Sequence, residues 1–134
     1  VWSYIDAKVS HDADRLANGN TLVVYGNNDQ KEDAQVKEID PAGKIVWSWY
    51  AKDYFDKEPY ASIYEEGWTH TNAVSRLENG NTLISPRNFN LLVEVNPDGE
   101  VVKIYGKTFL FNNMTRQYCQ TGTYSSPITI DRTG

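Results

Sequence analysis

Two histidines and one arginine are the residues of this sequence whose types and positions suit anion chemistry. The chain has two histidines, His11 in SHDADRL and His70 in WTHTNAVSRL, and each lies where the first strand of a repeated unit is expected to begin. Arg87, in SPRNFN, follows the expected second strand of the second unit. A guanidinium offers a bidentate fork and a protonated imidazole a charged donor, so together they would bind a tetrahedral oxyanion. The same positions also suit capping histidines and a surface arginine, and the residues alone leave this alternative open.

The elements that position these residues follow from an internal repeat. The stretch RLANGNTL at 15–22 recurs 61 positions later as RLENGNTL at 76–83. VKEIDPAGKIV at 36–46 recurs as LVEVNPDGEVV at 92–102, with the turn residues in register. A partial third copy opens the chain, where VWSY at 1–4 matches VWSW at 46–49. The sequence therefore predicts two copies of one unit, preceded by the closing strand of another.

Each unit is predicted to form four short antiparallel strands. Asn-Gly suits a tight hairpin and Pro-x-Gly suits a reverse turn, so these turn sequences divide the apolar stretches into strands. The strands of the first unit are expected at 11–16, 21–25, 35–39 and 44–49, and those of the second at 70–77, 82–85, 91–96 and 100–105. The segment 50–67 is expected to be a long connecting loop with one helical turn near 53–57.

Four antiparallel strands in a unit of about 45 to 60 residues are typical of a β-propeller blade. We therefore expect an all-β, propeller-type chain with two four-stranded antiparallel blades, at about 7–49 and 68–105, and one strand of a third. These would make a partial propeller at 1–106, followed at 107–134 by a non-repeat tail to which the sequence assigns no structure. Three tryptophans are expected on closing strands, with at least one packed between sheets: Trp2, Trp47 and Trp49.

Propellers close with about four to eight blades, so two blades and one strand are an incomplete set. The sequence leaves two interpretations open. The chain is either part of a larger propeller or a homo-oligomer whose exposed sheet edges pair with copies of itself.

Composition excludes two classes of partner. The 134 residues include 13 Lys or Arg and 18 Asp or Glu, which gives a net charge of -5 without a basic block, so no nucleic acid is expected as a partner. No apolar run approaches the roughly 20 residues that cross a bilayer, so no membrane span is expected. Four aspartates lack the spacing of a calcium loop and are interpreted as a solvated acidic loop: Asp12, Asp14, Asp29 and Asp33. No metal and no cofactor is expected.

The motifs around the candidate residues resemble those of the arylsulfotransferase family of propeller enzymes. WTHTNAV followed by NGNTLISPRNFN is the specific part of the resemblance, and HDADRLANGNTLV and GKIVWSW add to it. The resemblance covers about residues 1–106. It implies transfer of a sulfuryl group from a phenolic sulfate ester to a phenol without a nucleotide donor. It also implies a location in the periplasm, at the cell surface or outside the cell.

The resemblance implies roles for individual side chains. Three residues correspond to the groups that neutralise the sulfuryl oxygens during catalysis: His11, His70 and Arg87. Three more are the predicted substrate-binding residues, two of them as neutral donors beside the charged groups: Asn72, Asn88 and Trp68.

The nucleophile of the family is a histidine on a later blade, and this sequence has no histidine after Gly106. We therefore expect the chain to bind an aryl sulfate or phenol without turning it over by itself. The alternative is a non-catalytic propeller module that acts in binding or self-assembly through its edge strands.

Overall fold

Two four-stranded antiparallel sheets follow one another along the chain. The computed structural model describes residues 2–106 in full and three later strands by their backbone pairing alone. The first sheet consists, in order, of β1 (Ala13–Arg15), β2 (Thr21–Val24), β3 (Val36–Ile39) and β4 (Ile45–Trp49). The second consists of β5 (Thr71–Arg76), β6 (Thr82–Pro86), β7 (Leu91–Val95) and β8 (Val101–Gly106).

The later strands add to this arrangement. They are β9 (Phe109–Asn112), β10 (Gln117–Gln120) and β11 (Ser125–Thr129). β9 and β10 pair with each other, and β11 joins the second sheet beside β8. The described helices are short: α1 (Lys52–Phe55) and two 3-10 turns at Tyr60–Ser62 and Arg87–Phe89. None of the helices in the described part of the chain is long and apolar enough to cross a membrane.

The prediction of an all-β chain with two four-stranded antiparallel units is confirmed. The first strand of each unit begins later than predicted, at Ala13 instead of His11 and at Thr71 instead of His70. Both histidines have a positive φ, 68° for His11 and 43° for His70, which extended strands do not accommodate. The backbone therefore leaves the strand conformation at the two residues that the sequence marks as candidates for chemistry.

The repeated turn RLxNGNTL folds in the same way in both sheets. Gly19 and Gly80 have φ values of 92° and 90°, in a region that glycine occupies without steric cost. The side-chain oxygens of Asn18 and Asn79 each accept the backbone N–H two residues on, at 2.9 Å. Identical turn chemistry thus sets equivalent hairpins, and the strands that follow begin in the same register.

The core lies between the two sheets and draws apolar side chains from both. Leu22 and Val24 of β2 are fully buried, and Trp49 at the end of β4 is 2% exposed. They pack in one cluster with side chains of the second sheet, including Val74, Ile84, Val93 and Val95. Trp49 is thus a tryptophan packed between sheets, as expected.

The indoles of Trp2 and Trp47 make the same contacts one unit apart. Trp47 Nε1 donates to the Pro97 carbonyl at 2.9 Å, and Trp2 Nε1 donates to the Pro41 carbonyl at 2.9 Å. The two prolines hold the same position of the repeated turn. An arginine lies over each ring, Arg76 at 5.7 Å and Arg15 at 5.0 Å from the centroid. The segment around Trp2 therefore contacts the first sheet in the same way that β4 contacts the second sheet.

Candidate functional site

The rings of His11 and His70 are in contact although the residues are 59 positions apart. Their Nε2 atoms are 2.9 Å from each other, and the ring centroids are 4.7 Å apart. His70 is buried, with 3% of its surface exposed, whereas His11 is exposed. The pair forms because the two residues precede β1 and β5, first strands of sheets that pack against each other.

The backbone at this point is strained. The φ values of His11 and His70 lie in the left-handed region, and Glu66 in the loop before His70 has a φ of 54°. A non-glycine residue held in such a conformation costs about 1–3 kcal/mol and persists only where its surroundings fix it; such residues concentrate at functional sites. The strain coincides with the two candidate imidazoles.

The proton positions in the pair follow from the partners of His70. Its Nδ1 lies 2.6 Å from the Glu66 carbonyl oxygen, and a carbonyl only accepts, so Nδ1 carries a hydrogen. In the neutral ring Nε2 is then an acceptor, and His11 Nε2–H donates to it. If His70 is protonated, the donation runs the other way. In both cases one proton lies between the two rings.

Arg87 opens the 3-10 turn that follows β6, and its side chain is exposed. Its Nη2 donates to the Glu65 carbonyl at 3.2 Å, next to the carbonyl that receives His70 Nδ1–H. Its Nε donates to Asn88 Oδ1 at 3.2 Å. A guanidinium has five N–H donors, so these bonds to described residues leave most of the fork for a ligand.

Asn88 binds the loop whose carbonyls also accept hydrogen bonds from His70 and Arg87. Its Nδ2 donates to the carbonyls of Glu65 at 3.0 Å, Gly67 at 2.8 Å and Trp68 at 3.2 Å. Its backbone N–H donates to the Thr69 carbonyl at 2.9 Å. The amide nitrogen, predicted as a donor to substrate, is therefore occupied by the loop.

Asn72 and Trp68, the other two predicted substrate-binding residues, lie in different surroundings. Asn72 is exposed, at the irregular point of β5 between Thr71 and Ala73. Trp68 is 2% exposed and its Nε1 donates to the Tyr60 carbonyl at 2.8 Å. Its indole meets the Phe89 ring edge-on, with centroids 5.4 Å apart, so Trp68 supports the loop from the core side.

Asp29 is a residue of this region that the sequence analysis misplaced in a solvated loop. It is 3% exposed, and its carboxylate lies under the loop that carries His70. Oδ1 accepts the backbone N–H of His70 at 3.0 Å and of Thr69 at 3.1 Å. The two backbone groups that it binds are about 40 positions away in the sequence, so no local motif marks it.

A surface cleft of about 360 Å³ adjoins Arg87. Apolar and polar side chains share its lining: Ser85, Leu91, Leu92 and Tyr105. This volume falls at the small end of the range for ligand pockets and suits a single aromatic ring. The arginine therefore lies at the edge of a space in which an aryl group fits.

The family model for Arylsulfotransferase (ASST) matches residues 3–123. This match runs past Gly106, so it includes part of the tail that the sequence analysis left unmatched. No curated protein matches the chain. Because the family model covers well over half of the sequence, the chain belongs to the arylsulfotransferase family.

Proposed function

We propose that this chain binds an aryl sulfate through His11, His70 and Arg87 and stabilises its sulfuryl group for transfer to a phenol. The observation that carries the proposal is the Nε2···Nε2 contact of 2.9 Å between two histidines with strained backbone. Arg87 is bonded to the neighbouring carbonyl of the same loop, so the cation and the imidazole pair belong to one constellation. Family membership supplies the substrate class.

The constellation suits a sulfuryl group for electrostatic reasons. The N–H groups of Arg87 that the described residues leave unbonded form a fork for two sulfate oxygens, and an additional proton on the imidazole pair gives both rings a donor. Exposed His11 turns aside to admit the anion, while buried His70 keeps its bond to the Glu66 carbonyl. Donors fixed in place before the reaction stabilise the charge that develops on the transferred group.

The aryl group of the substrate fits the cleft that Arg87 lines. Leu91 is buried at its wall, and Leu92 is 41% exposed, so the cleft offers apolar surface. The half-buried Tyr105 adds a ring against which an aromatic group can pack. We therefore assign the sulfate to the arginine and the histidines and the aryl ring to the cleft.

In the transfer, the sulfur–oxygen bond of the phenolic ester breaks, and the leaving phenolate takes a proton. The sulfuryl group passes to a nucleophilic nitrogen and from there to the oxygen of the acceptor phenol, whose released proton replaces the one given to the leaving phenolate. The family resemblance assigns the nucleophile to a further histidine, and this sequence has only two. We therefore expect binding without turnover when this chain is assayed alone.

Calorimetry with 4-nitrophenyl sulfate tests the proposal. Arg87→Ala removes the fork, and we expect its affinity to fall about 10- to 100-fold, the loss that follows removal of a hydrogen bond to a charged group. Arg87→Lys keeps the charge without the fork, so its affinity should lie between those of wild type and Arg87→Ala. The control is Lys44→Ala, an exposed cation at the opposite end of the first sheet, with wild-type affinity expected.

Equal affinities of wild type and Arg87→Ala would contradict the proposal, and so would equal losses in Arg87→Ala and Lys44→Ala. Release of yellow nitrophenolate is followed in the same samples. Steady release by the wild-type chain would contradict the expectation that the nucleophile is a further histidine.

A further inference from the structure

A buried carboxylate connects the first sheet to the loop that carries His70. Beyond the two backbone bonds of Oδ1, Asp29 Oδ2 accepts the Thr69 hydroxyl at 2.8 Å and Gln35 Nε2 at 3.0 Å. The Asp29 carbonyl also accepts the Trp68 N–H at 2.8 Å. Gln35 is fully buried, and its Oε1 accepts the Ala51 N–H at 2.8 Å, so the carboxylate is itself held in place.

The loop held by this carboxylate requires such support. Glu66 and His70 have φ values of 54° and 43°, which disfavour the loop unless surrounding contacts compensate. Asn88 holds the carbonyls of the loop from one side, and Asp29 holds its amides from the other. The loop can approach Asp29 because residue 67 is a glycine: a Cβ at this position would overlap Asp29 Oδ1.

We infer that Asp29 is the positioning residue of His70. By binding the consecutive N–H groups of Thr69 and His70, the carboxylate fixes the turn from which the imidazole projects. In that turn Nδ1–H reaches the Glu66 carbonyl and Nε2 faces His11. Asp29 thus sets the tautomer and the direction of the buried ring. The expected effect of Asp29 on substrate binding rests on the proposed aryl sulfate site.

A carboxylate suits this position better than its amide analogue. The carboxylate of Asp29 accepts hydrogen bonds from two backbone N–H groups, one hydroxyl and one amide nitrogen. In Asp29→Asn an NH₂ group replaces one acceptor oxygen at almost unchanged volume and faces other donors. The substitution therefore tests the acceptor property rather than the packing.

The experiment is side-chain ¹⁵N NMR of the two histidine rings, with His11→Gln to assign them. In wild type we expect neutral His70 to be the Nδ1–H tautomer and its ring to show a contact with His11. In Asp29→Asn we expect a mixture of tautomers and loss of that contact. Asp33→Asn is the matched control, because Asp33 lies in the same segment but pairs with Lys8 at 2.7 Å. It should keep the wild-type ring spectrum.

A folded Asp29→Asn protein with the Nδ1–H tautomer and the ring contact intact would overturn the inference. If Asp29→Asn does not fold, a second pair of variants decides. Thr69→Val removes the hydroxyl that bonds Asp29 while keeping the volume, and it should lower the Nδ1–H population, whereas Thr69→Ser should not. Equal ring spectra in these two variants would likewise overturn it.

Binding of 4-nitrophenyl sulfate is measured separately on the same proteins. We expect Asp29→Asn to bind about tenfold more weakly than wild type, because an ordered donor becomes mobile. Undiminished affinity in a variant whose ring has lost its tautomer preference would contradict this consequence. If the wild-type protein does not bind 4-nitrophenyl sulfate, the proposed function is wrong. The ring spectra would still test the inference on Asp29.

Discussion

At the scale of residues, the defining feature is a pair of imidazoles with one proton between them. His70 is committed through Nδ1 to a backbone carbonyl, and in the part of the chain that the structure describes its Nε2 contacts His11. Both Nε2 atoms can donate to an anion between the rings only if His70 carries an additional proton, because its Nδ1–H is already bonded to the Glu66 carbonyl. Ligand charge and protonation of the pair are thus coupled.

This coupling predicts proton uptake when an aryl sulfate binds. An anion between the rings favours the cationic form of imidazole, so we expect net uptake of a proton by the protein as 4-nitrophenyl sulfate binds. Calorimetry in two buffers of different ionisation enthalpy measures it. His11→Gln should reduce the uptake, and identical enthalpies of wild type in both buffers would contradict the prediction.

A second residue-scale prediction concerns the ion pair of Lys8 and Asp33. Partial burial alone would raise the pKa of Asp33, but the hydrogen bond from Lys8, the Gln30 N–H and nearby positive charge outweigh it and lower the pKa. A lowered pKa means that the stabilisation is present above the ordinary value of about 3.8 and is lost as pH falls through the folded-state value.

Asp33→Asn should therefore lower the free energy of unfolding slightly at pH 7, since exposed pairs contribute less than about 1 kcal/mol, and this difference should shrink as the pH falls through the folded-state pKa of Asp33. Urea titrations of both proteins across this range measure the difference. A difference that persists unchanged at low pH would point to packing and not to charge.

At the scale of elements, the junction between consecutive units is a tryptophan of one closing segment bonded to the proline turn of the next sheet. It occurs twice with nearly the same geometry, at Trp2 with Pro41 and at Trp47 with Pro97. The two histidines meet at another point of contact between the same two sheets, where they precede β1 and β5.

Trp47→Phe tests this junction. The substitution removes the bond to the Pro97 carbonyl and part of the buried ring, so we expect a loss of about 1–3 kcal/mol in the free energy of unfolding. Urea unfolding measures the loss. Tyr50→Phe is the control, because Tyr50 is 37% exposed and keeps its ring. A Trp47→Phe protein as stable as the control would show that the junction is not a source of stability.

The same elements explain how far the sequence alone leads. The repeated Asn-Gly and Pro-x-Gly turns allow the eight strands of the two units to be predicted, because the turn chemistry is local. The WTHTN motif identifies His70 but does not indicate that Trp68 is buried, since which neighbours of the histidine turn into the core depends on packing. Asp29 escapes prediction because the N–H groups of Thr69 and His70 that it binds are backbone groups, which any sequence provides.

At the scale of the whole molecule, two sheets that share one hydrophobic core bring residues from distant positions to one site. The histidines come one from each unit, and the loop between them is held by Asp29 before it and Asn88 after it. Closure into a propeller, pairing with other copies and a location outside the cytoplasm stay predictions. The site proposed for aryl sulfate requires only the two sheets and the segments that join them.

Binding at this site is tested most directly by an NMR titration of protein labelled with ¹⁵N at histidine and arginine. As 4-nitrophenyl sulfate is added, we expect saturable shifts at both imidazole rings and at Arg87 Nε, assigned with His11→Gln and Arg87→Lys. The same titration with 4-nitrophenol, which lacks the sulfate, should leave the arginine signal in place. Saturable shifts confined to other arginines, or none at the histidine rings, would contradict a sulfate site made by His11, His70 and Arg87.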